Sequence, residues 1–307
     1  MLYIIVNPAS KSGLGRKKWE SFKKKLNQNS IVYEVFFTDK KSGASKCARE
    51  ISGKMRSDSR DILCVLGGDG TINEVLNAFD AHNIQNTALA YLPTGSSNDL
   101  ARALGIASSP DELIRRIKKP IIHTADTGMV VTGGKNRRFC VSCGIGLDAA
   151  VCKEALDSKL KDILNRLGLG KLTYAGIALK QLLFAPSCHC DLTLEDGSVK
   201  HFDRLLFAVA MVQPYEGGSI RMAPMADCHD GLFDVMVVAG LRKWRALYLL
   251  PLAFFGLHTK AKNVYFFKVP GLTIETDVPL IVHADGEYCG KQQKITLSCQ
   301  KNGLKFN

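Results

Sequence analysis

The first part of the chain alternates short apolar runs with longer stretches in which apolar residues recur every three or four positions. The short runs predict buried strands, and the longer pattern predicts helices that pack on them. The predicted strands cover residues 2–6, 31–37, 62–66 and 87–92. Strands that alternate with helices in this way predict a doubly wound, parallel α/β domain over residues 1–126.

The pattern changes after Ile121 to short strand-like runs, some of them separated by turns such as Gly133-Gly134. These runs predict strands at residues 121–131, 139–143, 188–194, 205–212, 232–239, 264–267, 272–275, 280–284 and 294–297. Such a series predicts an antiparallel β-sandwich domain over residues 127–293.

Two interruptions of the β pattern look helical. Residues 148–184 predict two helices with a break at residues 168–170. The apolar stretch 242–257 predicts a buried helix kinked at Pro251. The alternative is that this stretch receives a lipid tail or touches a membrane, because basic residues accompany it. The basic residues are Arg242, Lys243 and Arg245.

Composition and charge narrow the class of protein. The 307 residues are 46% hydrophobic and 23% charged, which is typical of a globular chain with two domains. The net charge is +12, and residues 1–60 contribute +9 of it, with 14 basic and 5 acidic residues. Candidate partners are therefore nucleic acid, an anionic membrane surface and a nucleotide. The sequence contains no nucleic-acid recognition motif, so we expect no nucleic-acid partner.

The ten cysteines do not predict a disulfide framework or a zinc site. The sequence shows no signal peptide and no apolar run of the ~18 residues that span a bilayer, so we expect a cytoplasmic protein with reduced thiols. Cys140 and Cys143 have C-x-x-C spacing. A spacing of three places them on opposite faces of the predicted strand, where they cannot share a metal ion.

The richest stretch follows the third predicted strand and reads Leu66-Gly67-Gly68-Asp69-Gly70-Thr71-Ile72-Asn73-Glu74-Val75. A strand that breaks into glycines and re-enters a helix presents free backbone N–H groups to an anion, and glycine lets a phosphate approach them. Asp69 is compatible with phosphates if Mg²⁺ lies between them. Thr71 and Glu74 have the spacing of a capping box. The alternative interpretation is a tight βα turn before a capped helix.

Three further turns follow predicted strands of the same domain. They are Asn7-Pro8-Ala9-Ser10-Lys11-Ser12-Gly13, the turn at Thr38, and Pro93-Thr94-Gly95-Ser96-Ser97-Asn98-Asp99-Leu100-Ala101-Arg102. Ligands of parallel sheets bind at the carboxyl ends of the strands. We therefore expect the four turns to converge on one crevice.

The second half contains three notable stretches. Residues 223–234 place closely spaced oxygen ligands in a loop, which suits a divalent cation, although a polar turn is the alternative. Asp285-Gly286-Glu287 follows a strand and is either a functional pair of acids or a hairpin turn with solvated acids. Residues 144–149 match G-x-G-x-x-A, but no acidic residue follows at the distance of a dinucleotide-binding fold.

The Gly-Gly-Asp-Gly-Thr string with its Asn73-Glu74-Val75 extension resembles the nucleotide signature of the diacylglycerol kinase family, the bacterial soluble lipid kinases related to sphingosine kinases. Residues 93–102 resemble the second signature of that family, with Ser96 in place of threonine. Residues 144–149 resemble its acceptor-cleft string, with Leu147 in place of an aromatic residue. The resemblance implies an NAD kinase-like first domain, to which residues 294–307 return as a closing strand.

The resemblance further implies an ATP- and Mg²⁺-dependent kinase that phosphorylates the hydroxyl of diacylglycerol or another lipid. Glu287 would be the proton acceptor, helped by Asp285. The implied ATP-binding residues are Asn7, Pro8, Ser10, Lys11, Ser12, Gly13, Thr38, Gly67, Gly68, Asp69, Gly70, Thr71, Asn73, Glu74, Gly95 and Ser96. The implied ligands of the catalytic Mg²⁺ network are Asp69, Asp99 and Asp126. A structural Mg²⁺ would bind the Asp230 side chain and the carbonyls of Asp227 and Leu232.

Two other functions stay open at this point. An NAD kinase shares the Gly-Gly-Asp-Gly core, and an inert lipid- or nucleotide-binding protein could keep the same fold. A P-loop kinase is excluded because the sequence has no Gly-x-x-x-x-Gly-Lys-Ser/Thr string. We expect a cytoplasmic protein that attaches reversibly to anionic membranes, and a homodimer is left open.

Overall fold

A computed structural model of the protein describes residues 1–39, 41–55, 61–79, 84, 87–106, 109–157, 170–186, 188–218 and 220–307. The chain divides into two compact units. The first consists of Met1–Thr127 with Lys301–Asn307, and the second of Gly128–Gln300.

The first unit is built on a parallel sheet. Its strands are β1 (Leu2–Val6), β2 (Tyr33–Phe37), β3 (Ile62–Gly67) and β4 (Ala88–Pro93), in the order β2-β1-β3-β4. The end of a long strand, β13 (Glu287–Phe306), adds to the β4 edge, where Lys305 and Phe306 pair in parallel with Ala88 and Leu89.

Helices follow the strands of this sheet. They are α1 (Ser10–Gln28), α2 (Gly43–Lys54), α3 (Asp69–Ala78), α4 (Asp99–Ala103) and α5 (Pro110–Lys118). The apolar stripes of α1 and α5 pack on one face of the sheet, with Trp19, Phe22 and Leu26 of α1 buried against β1, β3 and β4. The alternation of strand and helix thus produces the predicted doubly wound domain, and α2 packs beside α3.

The second unit is an antiparallel β structure with helical insertions. Its strands are β5 (His123–Thr132), β6 (Lys135–Phe139), β7 (Ser142–Gly146), β8 (Cys188–Leu194), β9 (Val199–Met211), β10 (Phe233–Ala239), β11 (Val264–Val269), β12 (Gly271–Ala284) and most of β13. Its helices are α6 (Leu147–Asp157), α7 (Gly170–Phe184), α8 (Lys243–Ala246), α9 (Leu249–Phe254) and a 3₁₀ helix (Leu257–Lys260). The chain enters this unit within β5 and leaves it within β13.

Two long strands of the second unit each change partners along their length. β9 pairs with β8 through its first half and with β7 and β10 through its second half. β12 pairs with β8 through Leu272–Thr276 and with β7 through Val282–Ala284. Strands that pass from one set of neighbours to another build the sandwich-like architecture, so the predicted fold class is confirmed.

Two sequence predictions for this unit are wrong. The strand predicted at 139–143 is interrupted at Cys140 and Val141, because β6 ends at Phe139 and β7 begins at Ser142. The helix predicted at 242–257 is divided into α8, α9 and the 3₁₀ helix, with breaks around Leu247-Tyr248 and Phe255-Gly256. Pro251 lies in the first turn of α9, where backbone N–H groups make no hydrogen bond inside the helix. The proline therefore removes no helical hydrogen bond and causes no kink.

Part of the helical region predicted at residues 148–184 falls outside the described residues, including the predicted break at Gly168 and Leu169. Among the described residues, no helix is both long enough and apolar enough to cross a bilayer.

Candidate active site

The turns after β3 and β4 pack backbone against backbone. A Cβ atom on Gly95 would lie 2.5 Å from the Cα of Gly68, and one on Gly67 would lie 2.5 Å from the Cβ of Thr71. Cβ atoms do not come so close to other heavy atoms, so only glycine fits at these positions. The first turn of α3 follows at once, with backbone N–H groups that have no partner inside the helix. This arrangement is suited to bind phosphate.

Asn7 and Ser10 connect three of the predicted turns. The backbone N–H of Asn7 donates to the carbonyl of Leu66 at 2.8 Å, and its side-chain amide donates to Thr71 Oγ1 at 3.2 Å. The hydroxyl of Ser10 donates to the carbonyl of Asn7 at 2.9 Å and lies 2.7 Å from the hydroxyl of Thr94. The turns after β1, β3 and β4 are therefore held together.

The turn after β1 has an unusual backbone. Lys11, Ser12 and Gly13 have φ angles of +42°, +55° and +95°, although only the last is a glycine. Such conformations are uncommon outside glycine and concentrate at functional sites. The side chains of Lys11 and Ser12 are exposed, and Pro8 is half-buried. At Thr38, the backbone N–H donates to the carbonyl of Val6 at 2.9 Å, which holds the turn after β2 to the end of β1.

Three carboxylates of the first unit have the chemistry of a magnesium site. Asp69 accepts the backbone N–H of Asp99 at 3.0 Å and that of the next residue at 3.3 Å. Asp99 is buried and pairs with Arg102 at 2.5 Å. Asp126 on β5 is also buried and accepts the N–H of Asn302 at 2.8 Å.

Asp69 and Asp99 act on one common neighbour, Tyr91. Burial and these two carboxylates raise the pKa of the Tyr91 hydroxyl well above its ordinary value, so the hydroxyl stays protonated. Carboxylate oxygens are the ligands that Mg²⁺ prefers, so the chemistry of these side chains is suited to this ion. Among the described residues, these three carboxylates do not form a group whose ligand atoms all lie within 4.8 Å of one another.

Two of the predicted ATP-binding residues contact other parts of the protein, and a third is exposed. Glu74 does not form a capping box with Thr71, because it accepts the N–H of Ala44 in the first turn of α2. Asn73 is fully buried and accepts hydrogen bonds from the Asn77 side chain. Ser96 is exposed in the turn between β4 and α4. The capping-box prediction is thus wrong, since the position before α3 is Gly68 and makes no side-chain cap.

In the second unit, Asp285 and Gly286 form the two-residue turn between β12 and β13, where Ala284 pairs with Glu287. Their φ angles are +52° and +82°, the signs of the type I′ turn that Asp-Gly sequences favour. Asp285 is not solvated as the hairpin alternative expected. Its carboxylate accepts the N–H groups of Cys140, Val141 and Ser142 at 2.9, 2.8 and 3.1 Å.

His283 holds the same hairpin from its other side. Its Nε2 lies 2.6 Å from Asp148 and 3.5 Å from Glu216, and the N–H of Gly286 points at its Nδ1 at 3.0 Å. Ser142 completes the network, because its hydroxyl lies 2.5 Å from Glu216. The hairpin that carries Glu287 is therefore fixed by a buried polar network.

The charge state of His283 depends on opposing contacts. Burial disfavours the imidazolium, but the carboxylates of Asp148 and Glu216 outweigh burial and raise the pKa of His283 to about 9. The Gly286 N–H favours the neutral ring, since Nδ1 can accept only when it carries no proton. A backbone amide has a partial charge and the carboxylates have full charges, so the pKa stays raised.

An apolar pocket of about 240 Å³ lies in the second unit, between the sheet and the helices. It is larger than the ~150 Å³ cavity that takes up benzene in another protein. Its apolar wall includes Val151, Leu182, Phe207, Ile220, Met236 and Leu249. Asp148 and Glu216 also line this pocket. The network around His283 is therefore its polar end.

The carboxylates of the loop predicted to hold a structural Mg²⁺ lie beside the ammonium group of Lys268 on β11. One oxygen of Asp230 accepts the N–H of Leu232 at 2.9 Å, and the other lies 2.7 Å from Nζ of Lys268. The Asp227 side chain accepts the N–H of His229. The buried Oδ2 of Asp234 has no hydrogen-bond partner and lies 4.0 Å from the same Nζ. Because one ammonium leaves this oxygen unsatisfied, the loop also fits a divalent cation.

Sequence reasoning missed most of the polar network in the second unit. Asp148 belonged to the 144–149 string and His283 preceded Asp285 by two residues, so both signals were available. Glu216 and Ser142 belong to no motif, and only the pairing of β7 with β9 and β12 brings them to the hairpin.

Two family models match the chain. Residues 1–130 match the diacylglycerol kinase catalytic domain, and residues 141–302 match the YegS C-terminal NAD kinase beta sandwich-like domain.

Two similar proteins come from Bacillus subtilis and one similar solved structure comes from Bacillus anthracis. "Putative lipid kinase YtlR" of Bacillus subtilis (strain 168) is 30% identical over 292 residues, which cover 94% of this chain and 93% of that protein. A diacylglycerol kinase of the same organism is 29% identical over 297 residues, covering 94% and 89%. The crystal structure of a diacylglycerol kinase from Bacillus anthracis str. Sterne shares the fold, with a TM-score of 0.70, 19% identity and coverage of 99% and 95%.

Proposed function

The chain belongs to the diacylglycerol kinase family, whose members are phosphotransferases with an alcohol group as acceptor, and we propose that it transfers the γ-phosphate of ATP to a lipid hydroxyl. The observation that supports a lipid as the acceptor is the apolar pocket with Asp148 and Glu216 at its polar end. A hydrogen bond from His283 joins this polar end to the hairpin of Glu287. The acceptor is diacylglycerol or another lipid alcohol.

The first unit supplies the ATP site of this proposal. The N–H groups of the first turn of α3, at Gly70 and Thr71, would bind phosphate oxygens. The close approach of Gly68 and Gly95 holds the turn before α3 against the turn after β4. Lys11, which is exposed in the turn after β1, would add a positive charge. Asn7 and Ser10 hold the turns in place and so preorganise the site. Such positioning supplies most of the catalysis of phosphoryl transfer.

Asp69, Asp99 and Asp126 would hold Mg²⁺ directly or through water. The ion, when bound, neutralises charge on the phosphate oxygens. The backbone N–H groups at the start of α4 fix the orientation of Asp69. The guanidinium of Arg102 pairs with the buried carboxylate of Asp99.

Glu287 would accept the proton of the acceptor hydroxyl as that oxygen attacks phosphorus. A general base must be placed within hydrogen-bond reach of its proton, which requires a rigid support. Asp285 provides this support, because its three bonds to backbone N–H groups fix the turn before Glu287. We therefore assign Asp285 a positioning role rather than direct contact with the substrate.

The loop of Asp227, Asp230 and Leu232 would hold a structural Mg²⁺ in addition to Lys268. The unsatisfied oxygen of Asp234 supports this assignment. An anionic membrane would supply the acceptor, since the chain carries a net charge of +12.

The test is transfer of labelled γ-phosphate from ATP and Mg²⁺ to a panel of lipids in mixed micelles, with NAD as a parallel acceptor. We expect the parent chain to transfer the label to a lipid and the Glu287→Gln variant to lose this transfer. Label on NAD alone would replace the proposal with an NAD kinase. Lipid binding without turnover of ATP on any acceptor would indicate an inert lipid-binding protein.

A further inference from the structure

The helices that cover the apolar pocket also expose large apolar side chains. Phe184 at the end of α7 is 77% exposed, and Phe255 directly after α9 is 73% exposed. The other exposed apolar residues of these segments are Leu183, Leu247, Tyr248 and Leu257. Single exposed apolar residues are ordinary, but a group of them in one region marks an interaction site.

These residues belong to one region of the second unit. The Nζ of Lys243 donates to the carbonyl of Leu183 at 3.0 Å, which joins the start of α8 to the end of α7. Beneath them, Leu182 and Leu249 pack in the same core cluster. The ends of α7 and of the α8–α9 segment therefore lie side by side.

Basic residues accompany this apolar group. Residues 241–263 contain five Lys or Arg residues and no Asp or Glu. The five are Arg242, Lys243, Arg245, Lys260 and Lys262, and all of them are exposed. We call these five residues, with Leu183, Phe184, Leu247, Tyr248, Phe255 and Leu257, the basic apolar face.

We propose that the basic apolar face docks on the surface of anionic membranes, with its apolar side chains among the acyl chains and its basic side chains at the headgroups. Charge complementarity selects this partner, because anionic lipids attract each basic residue near the surface while Leu and Phe gain from burial in the bilayer. A protein partner with an apolar surface would not need five positive charges.

The apolar pocket opens to the surface at the basic apolar face. Leu179 and Leu247 are exposed and also line the pocket. The pocket therefore reaches the surface at the basic apolar face, and a lipid could pass from the bilayer into it. The inference deepens the proposed function, since it names the surface through which the acceptor would arrive.

The experiment is co-sedimentation of the full chain with vesicles, without ATP or added acceptor. The vesicles contain phosphatidylglycerol and phosphatidylcholine, or phosphatidylcholine alone. We expect binding to the anionic vesicles that weakens as salt rises. The triple variant Arg242→Gln/Lys260→Gln/Lys262→Gln should bind at least tenfold more weakly. The double variant Phe255→Ser/Leu257→Ser should also bind the anionic vesicles at least tenfold more weakly.

Matched variants control for total charge and apolar exposure. The triple variant Lys17→Gln/Lys23→Gln/Lys24→Gln removes three exposed charges from α1, and Val32→Ser/Ile121→Ser removes two exposed apolar side chains of the first unit. Both should bind within about twofold of the parent chain. Because all substituted side chains are exposed, thermal midpoints should stay within a few degrees.

Three results would overturn the inference. The first is a loss of vesicle binding in the α1 control as large as in the variant of the basic apolar face. The second is unchanged vesicle binding of both variants of that face, and the third is no binding of the parent chain to anionic vesicles. A concentration-dependent dimer that Phe255→Ser/Leu257→Ser abolishes would assign the face to a second copy instead. Failure of the kinase assay on every acceptor would reject the proposed function and leave the vesicle result standing, since vesicle binding needs no turnover.

Discussion

Asp285 and Ser142 are joined by two hydrogen bonds in opposite directions. The backbone N–H of Asp285 donates to the carbonyl of Ser142 at 2.8 Å, and the N–H of Ser142 donates to the Asp285 carboxylate at 3.1 Å. With the N–H groups of Cys140 and Val141, the carboxylate has three backbone donors. The turn before Glu287 therefore depends on a negative charge at Asp285.

Asp285→Asn should lower the free energy of unfolding by about 2–4 kcal/mol. One carboxylate oxygen becomes an NH₂ group that faces a backbone N–H, and bonds to a charged group are lost. Urea unfolding measures this change. Asp196→Asn is the control, because Asp196 occupies an exposed Asp-Gly turn and accepts the N–H of Ser198. An Asp285→Asn protein as stable as the parent would contradict the structural role.

Glu287→Gln should lower turnover of the lipid acceptor by about 10²-fold or more, because the amide cannot accept the proton. ATP affinity, measured by calorimetry, should stay within about twofold. Glu275→Gln serves as the control, since Glu275 only pairs with Lys294 on the exposed side of β12. Unchanged turnover in Glu287→Gln would remove this residue from the mechanism.

Gly95→Ala should weaken ATP binding by at least tenfold, because its Cβ would lie 2.5 Å from the Cα of Gly68 and the two turns would have to separate. The measurement is a fluorescent-nucleotide titration. Gly53→Ala is a matched control in α2, where a Cβ meets nothing within 4 Å. It should leave ATP binding unchanged and raise stability by up to about 1 kcal/mol. Equal affinity in both variants would show that the turns tolerate separation.

The raised pKa of His283 makes stability depend on pH. A group whose pKa rises on folding stabilises the folded state fully at pH values below its unfolded pKa. For His283 the unfolded pKa is 6.5, and the stabilisation is lost as the pH rises through the folded pKa of about 9. A tenfold change in proton affinity corresponds to about 1.4 kcal/mol. The raised pKa of His283 therefore corresponds to a stabilisation of the folded state of about 3 kcal/mol at low pH.

His283→Gln should therefore be most destabilising near pH 6 and less so near pH 10, as measured by urea unfolding across that range. His189→Gln, at an exposed histidine paired with Asp203, should show no comparable trend. A destabilisation by His283→Gln that stays constant with pH would mean that the ring is neutral throughout.

The proximity of the turns after β1, β3 and β4 could be predicted because its signals are local. Gly68, Gly95 and Asn7 each follow a strand whose apolar run is visible in the sequence, and parallel strands end at one edge. The role of Glu74 could not be predicted in the same way. It caps α2, a helix 30 residues earlier in the chain, and the sequence gives no sign of that contact.

The site of the second unit was less predictable because its contacts are distant in the sequence. Asp285 binds residues 140–142, which the apolar pattern placed in a strand, and Glu216 lies outside every motif. The stretch 242–257 was predicted as a buried helix. Its apolar residues are partly exposed instead, because short helices cannot bury every side of an apolar segment.

The pairing of Lys305 and Phe306 with β4 determines when the first unit can finish folding. On the ribosome, β1 to β4 emerge early, but the strand beside β4 is made only after all of Gly128–Gln300. Until then the β4 edge offers unpaired backbone groups that another chain could use. Expression of residues 1–127 alone should therefore yield aggregates, and a nascent chain should need chaperone protection until translation passes Phe306.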